Sequence, residues 1–169
     1  MPICSYADVD YNSVLNDGKT FSDNWKLNSE NQWGYYKDGQ LVKNAVIFDH
    51  NNDYYVDENG KMITGLICNK PNLMPDKCLY ILLDDTKGSG TYGKALLDGD
   101  MYRGIKISMD KIRYGSGEHE YLETLSEATL KNLESLGISR TNSYTLPNSV
   151  MIAIDADGER YEALLKADQ

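Results

Sequence analysis

Phenylalanine is nearly absent from this 169-residue chain: 2 Phe stand against 13 Tyr and 2 Trp. A chain that needed only core volume could use Phe freely. The bias therefore points to wet, half-exposed contact surfaces, where a flat apolar face carries a polar handle, although Tyr is also common in strands. Histidine is as scarce, and neither His50 nor His119 lies at a ligand spacing from a cysteine, so no zinc site is expected. Cysteine numbers 3, too few for a disulfide framework. Cys68 and Cys78 close a short loop if the protein is exported, with Cys4 left over, or all three thiols stay reduced; the sequence leaves both open.

Long apolar runs are missing too. None approaches the roughly 18 residues of a spanning helix, so no membrane span is expected. The first eleven residues have neither a basic n-region nor an apolar h-region and are not expected to be a signal peptide; trimming or another export route stays open. Positive charge is the minority, with Lys+Arg 17 against Asp+Glu 26 and a net charge of -9. The basic residues are scattered singly among acids, so nucleic acid is not an expected partner. The length still allows an ordinary core in one or two small domains.

What is present is self-similarity. Residues 24–44 read NWKLNSENQWGYYKDGQLVKN and residues 45–65 read AVIFDHNNDYYVDENGKMITG. The doublet Tyr35, Tyr36 recurs as Tyr54, Tyr55, whereas Gly39 recurs as Gly60 and Leu41 as Met62, so the second copy has a longer turn. Each copy has hairpin chemistry: an aromatic run, an Asp and Gly turn able to supply positive φ, then a short apolar run. A hairpin of this size cannot bury its apolar face alone and must lie on the next copy.

After Leu66 the pattern weakens. Residues 69–75 form a Pro and Asn loop, 78–83 (CLYILL) read as a buried strand, and 88–99 read as a Gly-rich turn with a diverged return strand, Lys94-Ala95 echoing Lys61-Met62. From Met101 the composition changes. A short strand is expected at 105–108, then a helix in which Thr124 and Glu127 form a capping box, Leu125, Leu130, Leu133 and Leu136 supply the stripe, and Gly137 marks the stop. Residues 149–165 read as a hairpin turning at Asp155, Ala156, Asp157 and Gly158. The expected fold is mainly β: stacked, solenoid-like hairpins in residues 1–100, followed by a small α+β part in 101–169, divided between Gly99 and Gly104.

Trp25, Trp33, Tyr35, Tyr36, Gly39 and Leu41, followed by Tyr54, Tyr55, Gly60, Met62, Thr64 and Gly65, resemble the cell-wall-binding repeats of choline-binding and glucan-binding proteins and of clostridial toxin tails. The likeness covers about a quarter of the chain, half if the diverged third copy counts. It implies a β-solenoid of hairpins found on bacterial surface proteins, wall hydrolases, phage lysins or toxins, with ligands held between successive hairpins. The ligand-binding residues it implies here are Trp25, Trp33, Tyr35, Tyr36, Tyr54, Tyr55 and Met62. Aromatic faces attract the quaternary ammonium of choline and stack on sugar rings while neighbouring polar groups take the hydroxyls.

The ligand cage departs from the family's pattern. The Trp after the Thr-Gly step and the Trp before the Tyr pair are filled once, by Trp25 and Trp33. Their next counterparts are Ala45 and Asp53, Leu66 follows Thr64-Gly65, and Gly34 is inserted before the Tyr pair. Each cation–π contact is worth on the order of 0.5 to 2 kcal/mol, so these losses disfavour choline. A flatter glycan platform on Trp25, Trp33, Tyr35 and Tyr54 is expected instead. The expected role is non-catalytic binding of bacterial cell-wall polysaccharide, teichoic acid or another polysaccharide, outside the cell or at its surface, without a cofactor, a homo-oligomer being open. One alternative is a structural or assembly protein of a phage or surface, in which the aromatics only hold the scaffold; another is a wall hydrolase or its accessory.

Three rival signals are weaker. Residues 88–94 match a phosphate-binding loop, yet Ala95 stands where a hydroxyl should hold magnesium and Gly99 ends any helix within about a turn. Asp49, Asn51, Asp53 and Asp57 imitate a calcium loop, but Tyr54 and Gly60 occupy its Gly and Glu positions. Glu118, His119 and Glu120 are adjacent on a Gly-flanked segment and point different ways, which suits a solvated loop better than an acid–base pair. Cys4 has no evident base partner.

Overall fold

The computed structural model describes residues 23–72, 74–114, 120–146 and 150–163. Cys4, Glu118 and His119 lie outside them. Among the described residues the chain is mainly β, in several small sheets of which none closes on itself. The first sheet contains β1 (Trp25–Leu27), β2 (Trp33–Lys37) and β3 (Gln40–Leu41); the second pairs β4 (Ala45–Asp49) with β5 (Asn52–Val56). A third joins β6 (Gly65–Asn69) to β7 (Leu79–Leu83), and β8 (Met101–Tyr102) with β9 (Ile105–Lys106) makes a short ribbon. The chain continues through β10 (Met109–Arg113), β11 (Tyr121–Leu125), the helix α1 (Glu127–Ser135), β12 (Tyr144–Leu146), β13 (Met151–Ile154) and β14 (Arg160–Ala163). No helix of the described residues is long and apolar enough to cross a membrane.

Turn chemistry shapes the hairpins. Asp38 and Gly39 between β2 and β3, with φ of 53° and 78°, and His50 and Asn51 between β4 and β5, at 48° and 65°, give the doubly left-handed turn that matches strand twist. Wider turns use a side-chain carbonyl or carboxylate as the organiser. Asn28 Oδ1 accepts the N–H groups of Glu30 and Gln32, Asp57 Oδ1 those of Asn59 and Lys61, and Asp155 Oδ1 those of Asp157 and Glu159.

The three N-terminal hairpins share one register. Trp25 faces Tyr35, Val46 faces Tyr55 and Leu66 faces Leu82. A return residue then rejoins each second strand: Leu41 opposite Tyr36, Met62 opposite Val56, Ala95 opposite Leu83. The return residue also bonds to the preceding unit, since Met62 N–H donates to the Trp33 carbonyl and Ala95 N–H to the Asp53 carbonyl, both at 2.8 Å. Two residues earlier stands a glycine with positive φ. A Cβ on Gly60 would come within 2.6 Å of the Leu41 side chain, and one on Gly93 within 2.6 Å of Met62. Each turn glycine thus leaves the space that the previous unit's return side chain fills.

This register corrects the alignment made on the tyrosine doublets. Tyr35 and Tyr36 correspond to Tyr55 and Val56, and Trp25 corresponds to Val46 rather than Ala45. Gly34 is no insertion: it holds a regular strand position, the one Tyr54 holds in the next unit. A Cβ there would sit 2.9 Å from Leu41 Cδ1, so a larger residue would have to displace the end of that side chain. The turn at 84–94 carries no helix, and Asp84 and Lys94 pair across its neck as Asp57 and Lys61 do. That fits a long hairpin connection and not a phosphate-binding loop.

The second half is welded to the first. β12 runs parallel to β6, and β10, β11, β13 and β14 form an antiparallel sheet in the order β10-β11-β13-β14. Tyr55, Ile67 and Leu83 share a buried cluster with Leu146 and Ile152, while Leu66, Leu82 and Leu96 pack with Leu125, Leu130 and Leu133. Residues on either side of the division expected between Gly99 and Gly104 thus share buried clusters. Asn69, fully buried, ties the halves by polar contact, accepting Leu146 N–H at 2.9 Å and donating to the Val150 carbonyl. Arg160 does the same with charge, bonding Asp53 at 2.8 Å and also Glu123.

The helix begins one device later than its sequence suggests. Ser126 is the N-cap and accepts Thr129 N–H, whereas Thr124 is in β11 and its hydroxyl accepts Tyr80 N–H. Gly137 does end it, at φ 90°, with Gly137 N–H on the Glu134 carbonyl and Ile138 N–H on that of Leu133.

Cys68 on β6 and Cys78 beside β7 are joined by a disulfide, their Cα atoms 5.4 Å apart. Closing so short a loop restricts the unfolded chain by about 3 kcal/mol. Replacing both residues in a Cys68→Ser/Cys78→Ser variant is expected to lower the unfolding free energy by about that amount, read from urea titration, and added reductant should have no further effect on the variant.

Candidate functional site

Of the seven residues expected to bind ligand, Trp25, Trp33, Tyr35, Tyr54 and Met62 share one cluster where the first two hairpins meet, Tyr36 lines the groove beside it, and Tyr55 lies elsewhere. Trp25 is 5% exposed and Trp33 4%, Met62 5%, and Tyr54 and Tyr55 are fully buried. Tyr35 and Tyr36 are half-buried. The physical reason is packing: Trp25 meets Tyr35 and Tyr54 edge-on, at centroid distances of 5.0 and 5.2 Å, and its indole N–H donates to Asp49 at 3.0 Å. The ring is thus held inside the cluster and not presented to solvent. Trp33 closes the same cluster against Val56, Ile47 and Met62.

Tyr55 lies on the other side of β5, in the cluster that includes Leu146 and Ile152. Its phenol is held well above the ordinary range, first by burial and then by the nearby Asp53 carboxylate, with Arg160 opposing. Tyr54 is raised as well, by burial first and Asp49 second.

Access survives in two open grooves that meet at Gln32, Trp33 and Lys61. The first, about 350 Å³, has Trp33, Gly34, Tyr36 and Leu41 on its floor and Lys26, Asn28, Gln32, Asn59 and Lys61 at its rim. The second, about 330 Å³, runs on past Met62 and Thr64 to Lys87 and Tyr92, with Glu30 on its edge. Glycine makes the first groove possible, because Gly34 stands where the next unit has the Tyr54 ring. Both volumes fall within the range of small-molecule sites. An aromatic and aliphatic floor beneath amide and ammonium groups can hold a ring with apolar faces and polar edges.

Sequence reasoning found Trp33 and Tyr36 but missed the polar rim. Asn28 and Gln32 bracket one turn and Asn59 lies in the next, which places all three beside the floor. Tyr92 was hidden in the Gly-rich stretch. Its signal was the spacing of Gly93 and Ala95, which repeats that of Gly60 and Met62.

No protein-family model matches the chain, and no curated protein matches it. Among solved structures it is similar to the multimodular pneumococcal cell-wall endolysin from phage Cp-1 complexed with choline, at 14% identity and a TM-score of 0.36 over 87% of this chain and 33% of that one. It is also similar to the modular Cpl-1 endolysin complexed with a peptidoglycan analogue, at 19% identity and a TM-score of 0.30, over 64% of this chain and 38% of that one. The chain thus spans about a third of the length of these endolysins.

The acidic side chains of the calcium-loop-like stretch have partners within the fold. Asp53 is occupied by Arg160, Asp57 by its own turn, and Asp49 by Trp25 and His50. Among the described residues no group of three His, Cys, Asp or Glu side chains is arranged to hold a metal ion.

Two outcomes follow from the burial. Trp25→Ala opens the shared cluster and is expected to cost about 3–5 kcal/mol in denaturant titrations. Tyr102, in the ribbon of β8 and β9, is pushed up to about 12 by burial and by its hydrogen bond to Asp85, and so prefers the neutral phenol when folded. The stability it contributes is whole below pH about 10, the unfolded value, and is lost as the pH rises through about 12. Denaturation midpoints should fall across that window, and fall less in Tyr102→Phe, which has no proton to lose.

Proposed function

We propose that this chain is a non-catalytic module that binds bacterial cell-wall polysaccharide, with its hairpins arranged as a solenoid-like stack of degenerate cell-wall-binding repeats. One observation carries the reading: an apolar floor of Trp33, Tyr36 and Leu41 lies open between successive hairpins and is rimmed by Asn28, Gln32 and Asn59. Sugar rings present apolar faces and hydroxylated edges, the complement of such a groove. The return-residue hydrogen bonds between units and the glycines that receive the previous unit's side chain support the stacked arrangement. The disulfide suits an oxidising, extracellular setting.

Burial narrows the ligand residues implied by the resemblance. Tyr36 carries the contact, Trp33, Trp25, Tyr54 and Met62 support it from beneath, and Tyr55 belongs to the core on the other side of β5. Choline fits poorly, since Trp25 is buried and offers its ammonium no open indole face. The burial of these same aromatics favours a second reading, in which the hairpins are scaffold in a surface or phage assembly.

Binding to insoluble wall fractions, followed by sedimentation and by tryptophan fluorescence, separates the two. The glycan reading expects saturable binding that weakens about tenfold in Tyr36→Ala, a loss typical of a central aromatic contact. Absence of binding to every wall polysaccharide fraction would leave the scaffold reading.

A further inference from the structure

Resting on that reading, we propose that the joined grooves select an anionic glycan, a polymer of sugar or polyol units bearing one oxyanion per unit. Three successive hairpin units each contribute one ammonium group. Lys26 comes from β1, Lys61 from the return of the second unit, and Lys87 from the long turn of the third. All three are exposed and, like most lysines among the described residues, none forms an ion pair within the chain.

The negative groups that line the grooves are two, Asp57 and Glu30. Three ammonium groups against two carboxylates leave the grooves a formal excess of one positive charge on a chain of net charge -9. Such local concentration against an opposing background steers an anion to one place and repels a cation from it. A neutral sugar would leave the three ammonium groups without partners. A linear polymer with regularly spaced oxyanions meets them one after another, its sugar or polyol units lying over Tyr36 and Trp33. The chain's net charge of -9 disfavours a long polyphosphate duplex.

The test is calorimetric titration of the intact chain at low ionic strength with four polymers and one small cation: poly(glycerol phosphate), polygalacturonate, dextran, oligothymidylate and choline chloride. Poly(glycerol phosphate) or polygalacturonate should bind at least about tenfold more tightly than dextran, oligothymidylate and choline, and the stronger of the first two tells whether phosphodiester or carboxylate is the anion. Lys26→Glu, Lys61→Glu and Lys87→Glu should each weaken that binding by about tenfold, the effect of reversing one charge near a surface, while Lys111→Glu, away from the grooves, should not. If dextran binds as tightly and the three reversals change nothing, the charge selection is wrong and the glycan reading stands. Equal binding of oligothymidylate shows a groove that reads charge alone and overturns the proposal. If no polymer binds and wall fractions also fail, both readings fall together.

Discussion

A single backbone hydrogen bond, repeated, organises this molecule: the N–H of a return residue reaching the carbonyl of the unit before it. Met62 makes it to Trp33 and Ala95 to Asp53. The bond forms only if the turn glycine lets the chain pass over the previous return side chain, so Gly60 over Leu41 and Gly93 over Met62 are part of the same constraint. Hydrophobic burial supplies most of the free energy at these junctions. Register is what decides which side chains are buried, since a one-residue slip in a strand turns every side chain to the other face.

That constraint explains what was legible in the sequence and what was not. Gly39, Gly60 and Gly93 are visible as a spaced series because positive φ and close approach leave little choice but glycine. Tyrosine doublets are less faithful guides. Tyr35 and Tyr36 match Tyr55 and Val56 by register, because a strand position asks for a side chain that fits a half-buried surface and several residues answer. The Ser126 cap was missed for a related reason: Thr124, two residues earlier, has the right chemistry, and only the end of β11 decides which hydroxyl is free to cap. Burial of the two tryptophans was illegible, since a Trp on a strand looks the same whether its faces meet solvent or Tyr35 and Tyr54.

The C-terminal half shows how a short ladder of hairpins can end without an open apolar face. Leu146, Ile152 and Ala163 arrive from β12, β13 and β14 to cover strands of the third unit. Polar groups fix the alignment of that cover. Asn69 bonds both ends of the segment between β12 and β13, and Arg160 sets its guanidinium between Asp53 and Glu123, where a carboxylate left alone would be costly. Sequence composition changes at Met101, and residues on both sides of that point share buried clusters.

The turns that carry the return glycines differ greatly in length, spanning 37–40, 57–61 and 84–94, yet the pairings at their necks are the same. Length is thus decoupled from alignment at that edge of the ladder, and adding residues there costs only the slowly growing entropy of a larger loop. The Gly88 to Gly90 stretch is a natural place to graft a foreign peptide: an epitope or a tag would be displayed at the rim while every strand partner stays where it is.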